Sequence, residues 1–347
     1  MESTRADDEV RAALAAAEDE SANPAERAEM LMEIAMGLQQ RPKLSEQILS
    51  AIDLYDRALR VCPQDERLLL ARISARKGSA LLILPEEGTL ALQQARAAFE
   101  AAIPHLIDFG RPEELAEAEM NLGLAIQNLA GHHKARITDA ISAYQRALRT
   151  FDKVRFPKEF AILQNNLATA FLSMPFTDSR AKMREALAVQ AFEEGLKTVS
   201  LIDHPTEYAM LQNNLGNALQ YASSSHALEN NLRALDAYDE ALKVRVRATM
   251  PLEYANTVSN KANCLWNLPD DPERPEDGNR ANLLAAREYY RESREIFSTS
   301  GEVDKARTVA EALEQIQREL LSTPPSKPAG KNGGETRDRI ETDLKEH

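Results

Sequence analysis

The chain has 347 residues and a net charge of −13, and 43 % of its residues are hydrophobic, a composition typical of soluble proteins. Nucleic-acid binding requires clustered Lys and Arg, so this acidic balance argues against a nucleic-acid partner. No apolar run approaches the roughly 18 residues of a membrane-spanning helix, so we expect no membrane partner. Aromatic residues make up only 5 %, which favours closely packed helices over strands.

Residues 1–22 are expected to form a mobile acidic arm. Seven of these residues are Asp or Glu and two are Arg. They include too few large apolar side chains to anchor a helix against the rest of the chain.

The spacing of apolar residues predicts two helix pairs directly after the arm. In the first helix the apolar positions recur every three or four residues, at Met30, Leu31, Ile34, Ala35 and Leu38. Pro42 ends this helix, because proline cannot continue a helical hydrogen-bond ladder. The predicted pairs are 25–40 with 45–61, and about 65–84 with 89–107.

Four similar phrases follow, and each opens on a proline. The prolines recur every 45 to 48 residues, at Pro112, Pro157, Pro205 and Pro251. A fixed period in this range indicates stacked supersecondary units that share one continuous core. The predicted pairs are 112–130 with 137–151, 158–173 with 180–200, 206–222 with 230–247, and 252–267 with 280–298.

One amphipathic helix without a partner is predicted over residues 304–321. The last layer of a stack exposes its apolar face, so a capping helix with a polar outer face is expected there. From Ser322 onward the composition changes to Pro, Gly and charged residues. We therefore expect residues 322–347 to be a disordered tail.

The second helix of several pairs carries the pattern Ala-x3-Tyr-x2-Ala-Leu, as in Ala234, Tyr238, Ala241 and Leu242, which follow Leu215, Gly216 and Leu219 of the first helix. These residues resemble the tetratricopeptide repeat family, and residues 203–219 are most similar to its kinesin-light-chain type of repeat. The resemblance implies an all-α fold over residues 23–321. It would be a right-handed α-solenoid of about six helix pairs with a C-terminal capping helix.

A ladder of asparagines recurs in the first helices of the four phrases. Aligned by their opening prolines, Asn121, Asn166, Asn214 and Asn260 occupy one position, and Asn217 and Asn263 lie three residues further on. The resemblance places both positions on the concave groove. An Asn amide offers donors and an acceptor together, so it can bind the backbone of an extended peptide. The alternative is that these amides only bond neighbouring helices.

Two arginines in the second pair are further candidates for partner binding. Arg72 and Arg76 are four residues apart and share one face of their helix. In the resembled family, cations at these places form part of a carboxylate clamp. Leu31 stands where that clamp would have Asn, so a basic groove patch that attracts acidic groups and an ordinary solvated face are the other interpretations.

The sequence contains no motif for nucleotide binding, nucleophilic catalysis or zinc-dependent hydrolysis, so we predict a non-enzyme without cofactor or metal. The predicted function is a protein-interaction scaffold or adaptor that binds an extended partner segment in the concave groove. One alternative is a ligand-gated regulator that holds a small peptide or metabolite inside the superhelix; another is an assembly chaperone for a partner enzyme. A deep, closed apolar groove would favour the regulator, and an open polar groove the scaffold.

The two cysteines indicate a reducing compartment. Cys62 and Cys264 are far apart in sequence and lie within apolar helical phrases. We expect both to be reduced core residues, which favours a cytoplasmic location.

Overall fold

The computed structural model describes residues 22–40, 45–84, 88–175, 179–222, 226–269 and 279–322. Apart from Ala22 and Ser322, the predicted acidic arm and the predicted tail lie outside these residues, so both remain predictions. Within the described ranges the chain forms α-helices and no strand. The predicted all-α class is confirmed.

Thirteen helices lie within the described residues, close to the predicted positions. They are α1 Pro24–Gln40, α2 Ser45–Val61, α3 Arg67–Leu82, α4 Leu90–Phe109, α5 Pro112–Gly131, α6 Ile137–Ala147, α7 Pro157–Leu172, α8 Ser179–Leu196, α9 Pro205–Gln220, α10 Ala227–Leu242, α11 Pro251–Trp266, α12 Arg280–Thr299 and α13 Val303–Ser322.

The helix starts agree with the prediction better than the helix ends do. Helices α5, α7, α9 and α11 each begin at the proline of their phrase, because the first helical position needs no N–H donor and favours the φ of proline. In contrast, α6, α8 and α10 end before the predicted 151, 200 and 247. Their last turns tighten into bonds to the third preceding carbonyl, from Thr150 N to Ala147 O (3.1 Å), Thr198 N to Gly195 O (3.0 Å) and Val244 N to Ala241 O (3.2 Å).

The chain divides into two compact units, one ending at Val244 and the other beginning at Arg245. In the first unit, α1 to α10 pack as five consecutive pairs, and the first helix of each pair also contacts the first helix of the next. The Tyr208 hydroxyl near the start of α9 donates to Glu240 near the end of α10 (2.9 Å). The two helices of that pair are therefore antiparallel.

Close approach of the paired helices depends on a glycine in the first helix and an aromatic ring in the second. A Cβ added at Gly123 would lie 2.5 Å from the Tyr144 ring, and one added at Gly216 would lie 2.6 Å from the Tyr238 ring. Both tyrosines are completely buried. This packing agrees with the sequence pattern, in which small residues leave room for the aromatic side chain.

A second contact alternates between polar and apolar from pair to pair. Where the second helix carries a tyrosine, its hydroxyl donates to a glutamine near the end of the first helix: Tyr55 to Gln39 (2.7 Å), Tyr144 to Gln127 (2.9 Å) and Tyr238 to Gln220 (2.9 Å). Where it carries Phe99 or Phe192, the corresponding positions are Leu82 and Leu172. Burial raises the pKa of Tyr144 and Tyr55. Each buried tyrosine hydroxyl thus has a polar partner, whereas each phenylalanine ring has an apolar residue at the same position.

The second unit contains α11, α12 and α13. Tyr254 of α11 donates to Glu292 of α12 (2.9 Å), and the Trp266 indole donates to Glu319 of α13 (2.9 Å). One face of α13 is buried, at Val309, Ile316 and Leu320. The predicted last helix therefore packs against its preceding pair, and its other face is exposed.

Both cysteines lie where the sequence predicted. Cys62 in the first unit and Cys264 in the second are buried free thiols. Burial raises the pKa of the Cys264 thiol to about 12, which keeps the thiol protonated and unreactive near neutral pH.

Candidate functional site

Helices α3, α5, α7 and α9 carry most of the predicted binding residues and contact one another in that order. Their predicted residues in the first unit are Arg72, Arg76, Asn121, Asn166, Asn214 and Asn217, all half-buried. We call the row formed by the first five of these the A-helix strip. It is the candidate site for an extended partner segment.

At one end of the A-helix strip, two carboxylates of α5 pair with the two arginines of α3. Arg72 forms a bidentate pair with Glu114, from Nε to Oε1 (2.9 Å) and from Nη2 to Oε2 (3.3 Å). Arg76 Nη1 donates to Glu117 Oε1 (3.1 Å). The four charges balance locally, so an acidic partner group would have to compete with these carboxylates.

Glu114 also caps its own helix. Its Oε2 accepts a bond from the Arg111 backbone N–H (2.9 Å), which closes the first turn of α5. Burial by itself would raise the pKa of Glu114, but the bonds from the Arg111 backbone and the Arg72 side chain outweigh it, so the pKa lies below its usual value. The Glu114 carboxylate is thus ionised and holds the Arg72 guanidinium in place.

Asn121 lies next to these ion pairs. Its Nδ2 donates to Ser79 Oγ on α3 (3.3 Å). A cavity of about 30 Å³ lies between α3, α4 and α5, lined by both arginines, both glutamates and Asn121. This volume corresponds to one water molecule, so the end of the strip has no room for a larger buried ligand.

Further along the strip, four asparagines form a chain of directional hydrogen bonds. Asn213 Nδ2 donates to Asn214 Oδ1 (3.0 Å), and Asn214 Nδ2 donates to Asn165 Oδ1 on the neighbouring helix (2.8 Å). Asn165 Nδ2 then donates to Asn166 Oδ1 (3.3 Å). The two inner members, Asn165 and Asn213, are 8 % and 6 % exposed. The chain therefore fixes the side-chain orientation of both ladder residues.

The chain ends on an available donor. Asn166 is half-buried, and within the described part of the molecule its Nδ2 has no hydrogen-bond acceptor. The Thr169 hydroxyl, one helical turn on, bonds the Asn165 and Asn166 carbonyls (3.1 and 3.0 Å) and accepts from Gln127 Nε2 (3.0 Å). Asn166 is consequently held in place while its outer amide hydrogens stay accessible.

Asn217 makes a different kind of contact from the other ladder residues. Its Oδ1 lies 2.8 Å from the buried Tyr238 hydroxyl and shares the single proton of that hydroxyl with Gln220 Oε1. Its amide oxygen therefore serves the packing of α9 against α10, and its role in partner binding remains a prediction.

The last two ladder residues belong to the second unit. Asn260 and Asn263 are half-buried on α11, and Asn267 Nδ2 donates to the Asn263 carbonyl (2.7 Å) and to its Oδ1 (3.2 Å). Lys261, between them in sequence, has its ammonium 5.2 Å from the centre of the Tyr289 ring. Such a cation–π contact holds the lysine against α12.

The structure adds four residues that sequence reasoning did not assign to the site. Glu114 and Glu117 lie 42 and 41 residues after their arginines, three or four residues less than the shortest repeat spacing of 45. Opposite charges at this spacing could have indicated the two pairs. Asn165 and Asn213 directly precede two ladder residues in the same motif. Their inward orientation depends on helix packing, which the repeat pattern does not specify.

Among the described residues, no helix combines the length and the apolar character that crossing a membrane requires. Within the same ranges, no three His, Cys, Asp or Glu side chains come together in a group that could hold a metal ion.

No family model matches the chain, and no curated protein matches it. A solved structure that it resembles is the crystal structure of a Rap protein complexed with competence and sporulation factor. The two are 14 % identical, the match covers 86 % of this chain and 82 % of the other, and the TM-score is 0.41. A likeness at this level leaves partners and ligands to be inferred from the residues of this chain.

Proposed function

We propose that the chain is a non-enzymatic protein-interaction scaffold that binds an extended segment of a partner protein along the A-helix strip. One observation carries the proposal: the hydrogen-bond chain from Asn213 to Asn166 ends on the half-buried Asn166 Nδ2, which has no acceptor among the described residues. A peptide carbonyl is a suitable acceptor for this group.

The Asn166 Nδ2 donor is preorganised for binding. The bonds from Asn165 and Asn214 hold the amide in one orientation before any partner arrives, so binding loses less side-chain entropy. Because an amide bonds the peptide backbone, affinity would depend little on the partner's side chains. This arrangement suits an adaptor that accepts several extended segments.

The polar character of the strip supports a scaffold over a ligand-gated regulator. The Arg72–Glu114 and Arg76–Glu117 pairs and the asparagines make a half-exposed polar surface. A regulator would require an enclosed apolar groove for its peptide or metabolite. The proposal includes repeats of the kinesin-light-chain type and a cytoplasmic location. A role as an assembly chaperone for a partner enzyme is its alternative.

The experiment selects peptides from a phage-displayed library of random 12-residue sequences and compares their binding to three forms of the full chain. Asn166→Asp keeps the Oδ1 that accepts from Asn165 and replaces the outward donor by an oxygen. Gln145→Glu is the matched control, because it adds the same charge at an exposed position of α6. We expect selected peptides to bind the Asn166→Asp variant roughly tenfold more weakly than the wild type, the effect of one lost bond of about 1.4 kcal/mol.

Backbone recognition has its own readout. Methylation of single backbone nitrogens along a selected peptide should weaken binding at one or two positions, while alanine substitution of most side chains should not. The proposal fails when no peptide is enriched, or when enriched peptides bind the Asn166→Asp and Gln145→Glu variants equally well.

A further inference from the structure

The second unit contains a cleft lined by arginines, separate from the A-helix strip. It lies between α12 and α13 and has a volume of about 520 Å³. We call it the arginine cleft, and its basic residues are Arg287, Arg291, Arg294 and Arg318. Ala310 and Leu313 add apolar surface to the same cleft. Clefts of this size hold ligands with the dimensions of a short peptide.

Three of the arginines form a row along α12. Arg287, Arg291 and Arg294 are spaced four and three residues apart, so they share one face of the helix. The row extends over about 10 Å at the helical rise per residue. A ligand that matches all three must therefore be elongated and carry several negative groups.

The positive charge of the cleft is only partly balanced. Glu288 accepts bonds from Arg287 Nε (3.1 Å) and Arg291 Nη1 (3.2 Å), and Arg318 Nη2 donates to the neutral Gln315 side chain (2.8 Å). Arg294 is exposed and forms no hydrogen bond or ion pair within the described residues. Four guanidinium groups thus face two carboxylates, Glu288 and Glu314, in a chain whose net charge is −13.

We propose that the arginine cleft binds an acidic peptide segment of a partner protein, with carboxylates on the arginines and an apolar side chain against Leu313. Arginine suits this role because its planar group binds a carboxylate through two parallel bonds. Glu288 and Glu314 would repel the continuous phosphates of a nucleic acid, whereas a peptide can place neutral residues beside them. This site is independent of the proposed function of the A-helix strip.

The test titrates the full chain with a labelled 12-residue peptide built from Glu and Leu, and with a control peptide in which every Glu is Gln. The variant Arg294→Gln with Arg318→Gln removes two cleft cations. The control is Arg307→Gln, an exposed arginine of α13 that lies outside the cleft and pairs with Asp304. The Arg72→Gln with Arg76→Gln variant reports on the A-helix strip.

We expect the Glu–Leu peptide to bind the cleft variant at least about tenfold more weakly than the wild type, and the Arg307→Gln variant to bind like the wild type. Affinity should fall with added salt. A charge-reversed variant, Arg294→Glu with Arg318→Glu, should prefer a Lys–Leu peptide over the Glu–Leu peptide. Circular dichroism melting verifies that each variant is folded.

Three results would overturn the assignment. They are equal binding of the Gln peptide by the wild type, equal binding of the Glu–Leu peptide by the cleft variant, and tighter binding of a 12-nucleotide single-stranded DNA than of the peptide. The comparison of the Glu–Leu and Gln peptides needs only the wild-type chain, so it tests the assignment even when a variant unfolds. Loss of binding in the Arg72 and Arg76 variant alone would place the acidic peptide on the A-helix strip instead.

Discussion

Asn214 Nδ2 on α9 donates a 2.8 Å hydrogen bond to Oδ1 of Asn165 on α7, and this bond joins two successive helix pairs. Asn165 is 8 % exposed, so the bond satisfies an acceptor that water reaches poorly. Asn214 was predicted to face a partner, and its amide is already engaged within the molecule. The asparagine ladder therefore contributes to the stacking of the repeat as well as to the candidate site.

Replacing Asn214 by Ala should destabilise the fold. The substitution leaves Asn165 Oδ1 without its donor and removes the acceptor of the buried Asn213 Nδ2. An unpaired buried acceptor costs about 1–3 kcal/mol, so the loss of the donor to Asn165 Oδ1 should lower the free energy of unfolding, measured in urea, by roughly 2 kcal/mol. Asn128→Ala at an exposed position of α5 is the control. Equal stability of the two variants would show that the Asn chain does not hold the helix pairs together.

The contact between Tyr144 and Gln127 predicts a non-additive pair of mutations. Tyr144→Phe removes the donor to Gln127 Oε1. Gln127→Leu leaves the buried hydroxyl without its acceptor and also removes the bond from Gln127 Nε2 to the Thr169 hydroxyl. Each substitution should cost at least about 1 kcal/mol. The double variant reproduces the Phe and Leu combination found at 192 and 172. Its loss in unfolding free energy should be smaller than the sum of the two single losses, and strict additivity would contradict the coupling.

Two glycines should respond to alanine in opposite directions. At Gly216 a new Cβ would lie 2.6 Å from the Tyr238 ring, so overpacking should cost about 1–3 kcal/mol. At Gly37 nothing lies within 4 Å of the added atom, and alanine should stabilise α1 by up to about 1 kcal/mol. Thermal unfolding distinguishes the two. A stabilising Gly216→Ala would mean that α9 and α10 are less tightly packed than described.

The lowered pKa of Glu114 predicts how the stability of the first unit depends on pH. The folded state favours the ionised form, so this contribution is present above the ordinary value of 4.5 and is lost as the pH falls through the folded pKa. Glu114→Gln keeps an oxygen for the Arg111 N–H, removes the charge, and replaces by an NH2 group the oxygen that accepts from Arg72 Nε. We expect the variant to be less stable than the wild type by about 1 kcal/mol at pH 7. This difference in unfolding free energy should become smaller below pH 4.5.

The control for this prediction is Glu29→Gln, an exposed glutamate of α1 that has no ion pair among the described residues. Its difference from the wild type should stay small across the same pH range. A Glu114→Gln gap that does not change with pH would show that the ion pair with Arg72 does not stabilise the fold.

Prediction of the fold was possible because its main signals are local and repeated. The prolines at 112, 157, 205 and 251 mark helix starts, since the first helical position needs no N–H donor. The small size of Gly216 and the large ring of Tyr238 predict a close contact between their helices. The ends of α6, α8 and α10 were less predictable, because their last turns change hydrogen-bond register without a helix-breaking residue.

The sequence by itself determined the repeat, the helix pairs and the polar residues of the candidate site, since each depends on periodicity along one helix. Only the tertiary structure decided what those residues contact. Arg72 pairs with Glu114 and Asn214 with Asn165 because neighbouring helices bring together side chains 42 and 49 positions apart. The arginine cleft likewise exists only where α12 and α13 meet. Contacts between helices depend on how the helices pack, which the spacing within one helix does not contain.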